Sequence, residues 1–228
     1  MKKQIIMMAA LLVAMVANAQ SEVNIEKLWG IPDEPVDINE PMTVKSGVAF
    51  IGDTRSDEKK AEDPKPKGMQ VKKNKRFFKQ GALNVQYATQ LNFRGAASGI
   101  KKDGVVDVNA VPRSRMVQVK PTSSGKFIVF AMGAKEETKN LYIGIRNGAT
   151  FKNLAALPYI KDANVTGKKD APLAVQAVDY TYTDGDELWI YTEGSVNLFA
   201  IQFTGNLDTS FTGSEPMAVV KAVKKARK

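Results

Sequence analysis

The stretch DELWIYTEGSVNLFAIQFTG, residues 186–205, decides how this 228-residue chain folds. Two runs of aromatic and aliphatic residues flank Glu193-Gly194-Ser195. Successive side chains of a strand point to opposite faces. Leu188 and Ile190 therefore leave on one face, and Trp189 and Tyr191 on the other. Both faces are apolar, so one set lines a core and the other must be covered or face a groove. The pattern predicts a closing hairpin of two strands around a Gly-containing turn. Burying a large apolar side chain contributes roughly 1.5–3 kcal/mol. A core role for Trp189 and Tyr191 thus needs no further cause, and a ligand-facing role stays open.

Working outward, strand signals dominate. NVQYATQLNF, residues 84–93, alternates, and the period predicts Val85, Tyr87, Leu91 and Phe93 on one face. KFIVFAM (126–132), NLYIGIR (140–146) and LAVQAVDYTYT (173–183) follow, with shorter candidates in MTVKSGVAFI (42–51) and SRMVQV (114–119). Asp184-Gly185 between two such runs predicts a hairpin turn. Before the last fifteen residues or so, no stretch of the mature chain holds a helical period. The expected fold is all-β: an antiparallel β-sandwich, jelly-roll-like.

The ends of the chain read differently. Lys2 and Lys3, an apolar run over 5–16, and Ala17-Asn18-Ala19 form a cleavable signal peptide over 1–19. Export follows as an expectation, to the periplasm, the cell surface or the medium. No later run is long and apolar enough for a transmembrane helix. The expected sandwich domain spans 20–205, with a long surface loop from Asp53 to Lys75, a basic loop near 55–79 that overlaps it, and a basic tail over 206–228. The net charge of +9 is concentrated in these parts: residues 59–79 hold nine cations against Glu62 and Asp63. In the tail, Val219, Ala222, Val223 and Ala226 fall at helical spacing. The remaining body is mildly acidic. Such local charge attracts polyanions at low salt or is merely solvated.

The order of these features resembles a β-sandwich module of secreted Bacteroidetes proteins, often attached to pectate lyases and other polysaccharide-degrading enzymes. The matching stretches are LWGIPDEP (28–35), LNFRGAASG (91–99), SRMVQVKPTSSGKFIVFAMGA (114–134) and ELWIYTEGSVNLFAIQF (187–203). The resemblance runs from about Trp29 to Phe203, nearly all of the mature chain, and the basic insert of 59–79 departs from the pattern. The resemblance implies a secreted β-sandwich with glycan as the leading ligand class.

The chain has no histidine and no cysteine. Disulfides, thiolate metal sites and the commonest nucleophile–base pairs are therefore absent. Asp184-Gly185-Asp186-Glu187 is the densest acidic spot, as turn chemistry or as part of a calcium site. A glycosidase needs two carboxylates flanking a cleft, and no sequence feature nominates them. No repeat of a parallel β-helix is visible. The reading is a non-catalytic binding module without cofactor or metal, with a polysaccharide partner, pectic or otherwise acidic, and no nucleic acid. The alternative is a structural or adhesive protein of the cell envelope. Sugars are held by aromatic faces and by side chains that bond hydroxyls. The candidates are Trp189, Tyr191, Tyr182, Arg94, Arg115 and Asn197, and an arginine fork suits a uronate carboxylate.

Overall fold

A computed structural model of the chain describes residues 20–65, 67–80, 83–159, 173 and 175–216. The expected leader at 1–19 and the helical spacing around Val219 lie outside the described residues. Two antiparallel sheets face each other, as the alternation predicts. The first sheet runs in the order β13 (Gln176–Tyr180), β10 (Gly125–Gly133), β15 (Val196–Phe203), β6 (Leu83–Asn92), β5 (Met69–Gln80) and β2 (Val36–Ile38). A short N-terminal strand, β1 (Ser21–Asn24), also pairs with β15. The second sheet runs β12 (Thr150–Tyr159), β11 (Lys139–Asn147), β14 (Asp186–Thr192), β9 (Met116–Val119), β4 (Val48–Ile51) and β3 (Thr43–Lys45). A small ribbon, β7 (Lys101–Lys102) with β8 (Val105–Val106), stands apart.

The two expected hairpins around 184–185 and 193–195 are instead arches. β13 and β15 belong to the first sheet, and β14 between them belongs to the second. Both connections cross the sandwich. This explains why 186–205 is apolar on every face: each strand is central in its own sheet, and each sheet is covered on its outer side as well. Leu188 and Ile190 of β14 meet Leu198, Ile201 and Phe203 of β15 in the core between the sheets.

Trp189 and Tyr191 point away from that core. They lie in a second apolar cluster with Ile51, Met116 and Tyr142, roofed by Ala97 and Ile100 of the 94–114 loop. A third cluster covers the outside of the first sheet. There Phe78 of β5 and Tyr87 of β6 fold onto Phe130, with ring centroids 5.5 and 5.3 Å away. Leu173 stitches this curl to β5 through Lys79 N–H to Leu173 O at 2.9 Å and Leu173 N–H to Phe77 O at 2.8 Å.

Three boundaries differ from the sequence reading. The stretch expected as a long basic loop contains a short helix, Asp57–Glu62, and from Met69 onward it is the strand β5. Dense lysines masked that strand, although Met69 and Val71 point into the core between them. On β6, Leu91 enters the inter-sheet core but Tyr87 does not share its face; it packs in the outer cluster, where the β5–β6 register slips between Lys73 and Arg76. Residues 206–216, expected as the start of a tail, lie against the body. Asp208 N–H bonds Lys120 O at 2.8 Å, and the Ser214 N–H donates to Gln118 Oε1 at 2.8 Å.

Candidate functional site

Trp189 and Tyr191 cannot form a sugar platform in this structure, because both are completely buried, at 0 % exposure. The Trp189 ring lies 5.7 Å from Phe151 and 5.1 Å from the Arg146 guanidinium, and its Nε1–H donates to Glu187 Oε2 at 3.1 Å. Tyr191 stacks on Tyr142 at 5.2 Å, and its hydroxyl reaches Val108 O in the roofing loop at 3.4 Å. The loop supplies the cover that alternation alone left unassigned.

Tyr182 sits beside the start of β10. Its N–H donates to Ser124 Oγ at 2.8 Å and its hydroxyl to Asp184 Oδ1 at 3.0 Å. The Asp184–Glu187 carboxylates are taken up in local structure. Asp186 accepts from Tyr180 Oη at 2.9 Å and Asn147 Nδ2 at 2.9 Å, and Glu187 pairs with Arg146 at 3.5 Å.

Arg115 Nη1 reaches Arg94 O at 3.4 Å, and Asn197 lies opposite Met132 near the far end of β10, roughly a strand length or 25–30 Å from Tyr182. Asn197 does not hold a turn. It is the second residue of β15, and it faces out from the first sheet. The cross-strand register then makes a polar row. Asp37 of β2 lies opposite Gln70 of β5, Gln70 opposite Asn92 of β6, and Asn92 opposite Asn197, with Met132 of β10 closing the line. Four strands at about 4.8 Å spacing make this row roughly 14 Å long. Exposure falls along it, from open Asp37 to Asn197 at 4 %. The Asn197 Oδ1 is buried without a donor. In the next rung Lys72 lies opposite the buried Gln90, whose side chain accepts from Asn74 Nδ2.

Arg94 guards the open end. Its guanidinium pairs with Asp37 Oδ1 at 2.9 Å, and Gln70 Nε2 donates to the same oxygen at 2.8 Å. The Arg94 backbone is left-handed, with φ of 54°, and its N–H donates to Asn92 Oδ1 at 2.6 Å. Behind it lies Arg115, also left-handed at φ of 53°. Burial holds the Arg115 pKa below the usual arginine value, opposed by the nearby Asp53 charge. It stays a cation at neutral pH. Asp53 itself is claimed by Arg55, through Nε at 2.9 Å and Nη2 at 2.6 Å, and that pairing holds its carboxyl below the usual range.

Asp37 and Gln70 escaped the sequence reading, and Asn92 was not among its site candidates. Gln90 and Asn92 were visible as the polar face of an alternating strand. Which residues of other strands stand beside them depends on register, which a single sequence does not display. A separate cleft of about 290 Å³ opens where β1 meets β6, lined by Glu22, Asn24, Glu26, Lys27, Tyr87 and Gln202 among others. Glu26 there accepts the Ala88 N–H at 2.7 Å, and Lys27 pairs with Glu22. Burial first, then the charges of Glu22 and Glu26, raise the Tyr87 pKa and keep it protonated.

No family model matches the chain, and no curated protein matches it. Among solved structures, the CBM22-1 xylan-binding domain of Xyn10C from Paenibacillus barcinonensis is 16 % identical, with a TM-score of 0.32 over 60 % of this chain and 83 % of that domain. At that score the likeness carries no argument about ligand or site. Among the described residues, no helix is long and apolar enough to cross a membrane.

Proposed function

We propose that the chain is an exported, non-catalytic binding module for a carbohydrate, held on the polar row of the first sheet beside Arg94. One observation carries the reading: Asp37, Gln70, Asn92 and Asn197 stand side by side on one face of four adjacent strands. Amides and carboxylates offer paired donors and acceptors, which suit the adjacent hydroxyls of a sugar ring. Lys72 and Arg94 extend the row with donors. A core needs no such row, since buried polar groups stabilise a fold only when fully satisfied.

The test is calorimetric titration of the mature domain with a panel of plant and host oligosaccharides at physiological salt. Binding that weakens at least tenfold in Gln70→Ala, with the thermal midpoint kept, supports the reading. A panel without any hit removes it and favours a structural or adhesive role in the cell envelope.

A further inference from the structure

The charges around Arg94 do not balance, and the excess is local. Asp53 is held by two nitrogens of Arg55, and Asp37 is held by Arg94. Arg115, between these pairs, forms no ion pair among the described residues. Its Nη1 makes a long contact of 3.4 Å to Arg94 O, and its Nε is buried with no acceptor at all. Arg115 is only partly buried and feels the charge of Asp53, but Arg55 already holds that carboxylate. A partly desolvated cation with no anion of its own is costly unless something completes it.

The backbone around this cation is unusual in the same place. Arg94 and Arg115 both have positive φ, a region that residues with a Cβ seldom adopt, and such strain gathers at functional sites. Gly95 has φ of 130°, and a Cβ there would lie 2.9 Å from Arg115 Nη1. The glycine lets the loop close over the arginine. Asn92 connects this corner to the polar row by accepting the Arg94 N–H.

We infer that Arg115 is the receptor for a carboxylate carried by the bound sugar, so that the ligand of this face is a uronic-acid-containing polysaccharide. The inference rests on the carbohydrate reading above. An arginine edge presents two parallel N–H donors, which match the two oxygens of a carboxylate. The neighbouring amides then bond the hydroxyls of the same residue or the next. Arg94 adds a second cation and keeps Asp37 from repelling the incoming charge.

The experiment compares the mature domain with oligogalacturonate, its methyl ester, a sulfated glycan and a neutral xylo-oligosaccharide. The wild type is expected to bind the free acid at least tenfold more tightly than the ester. Arg115→Gln is expected to erase that preference without lowering the thermal midpoint, while the exposed Arg113→Gln keeps it. A preference that survives in Arg115→Gln, or equal affinity for acid and ester, overturns the inference. Binding of sulfated glycan without oligogalacturonate also overturns it, in favour of a sulfate receptor. Binding of neutral sugars alone overturns it and leaves the carbohydrate reading standing. Absence of all binding overturns both.

Discussion

Leu188 and Trp189 are consecutive in β14 and belong to different apolar clusters. Leu188 faces the first sheet across the sandwich, and Trp189 faces Phe151 under the 94–114 loop. The loop thus converts the outer face of the second sheet into a second core, and the aromatic content of the 186–192 strand follows from that covering.

Trp189→Ala should therefore destabilise the domain by about 3–5 kcal/mol, the range for emptying a large aromatic site. Urea unfolding of the mature domain checks this. A change below about 1 kcal/mol would mean that the loop does not pack on the indole as described.

Gly144 lies opposite Trp189 in the sheet, and the Phe151 ring covers it. A Cβ at this position would stand 2.3 Å from the ring carbon of Phe151. Gly144→Ala should push Phe151 away from Trp189 and Tyr191 and cost about 1–3 kcal/mol, as overpacking does. Near-ultraviolet circular dichroism should register the disturbed aromatic cluster.

Tyr142 sets an alkaline limit. Burial, with a 2.6 Å hydrogen bond to Glu193 Oε2, pushes its pKa up to about 12. The unfolded chain ionises nearer 10. The protonated form is thus favoured in the fold, and its contribution is fully present below about pH 10 and lost as pH rises toward 12. Tyr142→Phe should flatten the fall in stability over that window, read from unfolding midpoints. An unchanged alkaline slope would speak against the assignment.

Asp53 sets the acid counterpart. Its hydrogen bonds to Arg55 hold its folded pKa below the unfolded value. Its contribution is present above about pH 4 and lost as pH falls through the folded pKa. Asp53→Asn should lower stability at neutral pH by about 1.5–3 kcal/mol, the range for a charged hydrogen bond, and weaken the acid dependence. Because Arg55 also donates to Asp63 O at 2.9 Å and Lys65 O at 3.0 Å, proteolysis within 56–65 should accelerate in the same variant.

Asn197 separates stability from binding. Its Oδ1 is a buried acceptor without a donor, so Asn197→Leu should leave stability unchanged or raise it by up to about 1 kcal/mol. Glycan affinity should fall in the same protein. A stabilised variant with full affinity would show that Asn197 serves packing alone.

Much of the sandwich was legible because inward-facing residues of its central strands alternate or run continuously apolar. β10, β11, β14 and β15 all announce themselves in this way. β5 did not, since lysines occupy its outward positions and hide Met69 and Val71. Sheet membership was hidden too: a turn at Asp184-Gly185 is compatible with a hairpin or an arch, and only the covering of both outer faces selects the arch. For the proposed site, residue type nominated Arg94, Arg115 and Asn197, and equally the fully buried Trp189 and Tyr191. An aromatic strand has the same composition whether a loop or a ligand covers it. The polar row needed register across four strands, and a long-range pairing of that kind has no local signature.

The most direct test of the carbohydrate reading is a nuclear magnetic resonance map of side-chain amides during titration with an oligosaccharide that binds. The account predicts that shifts concentrate at Gln70, Asn92 and Asn197 while the Trp189 indole signal stays still. Shifts centred on the Trp189 indole, on Tyr182, or on the Glu22–Gln202 cleft would contradict it.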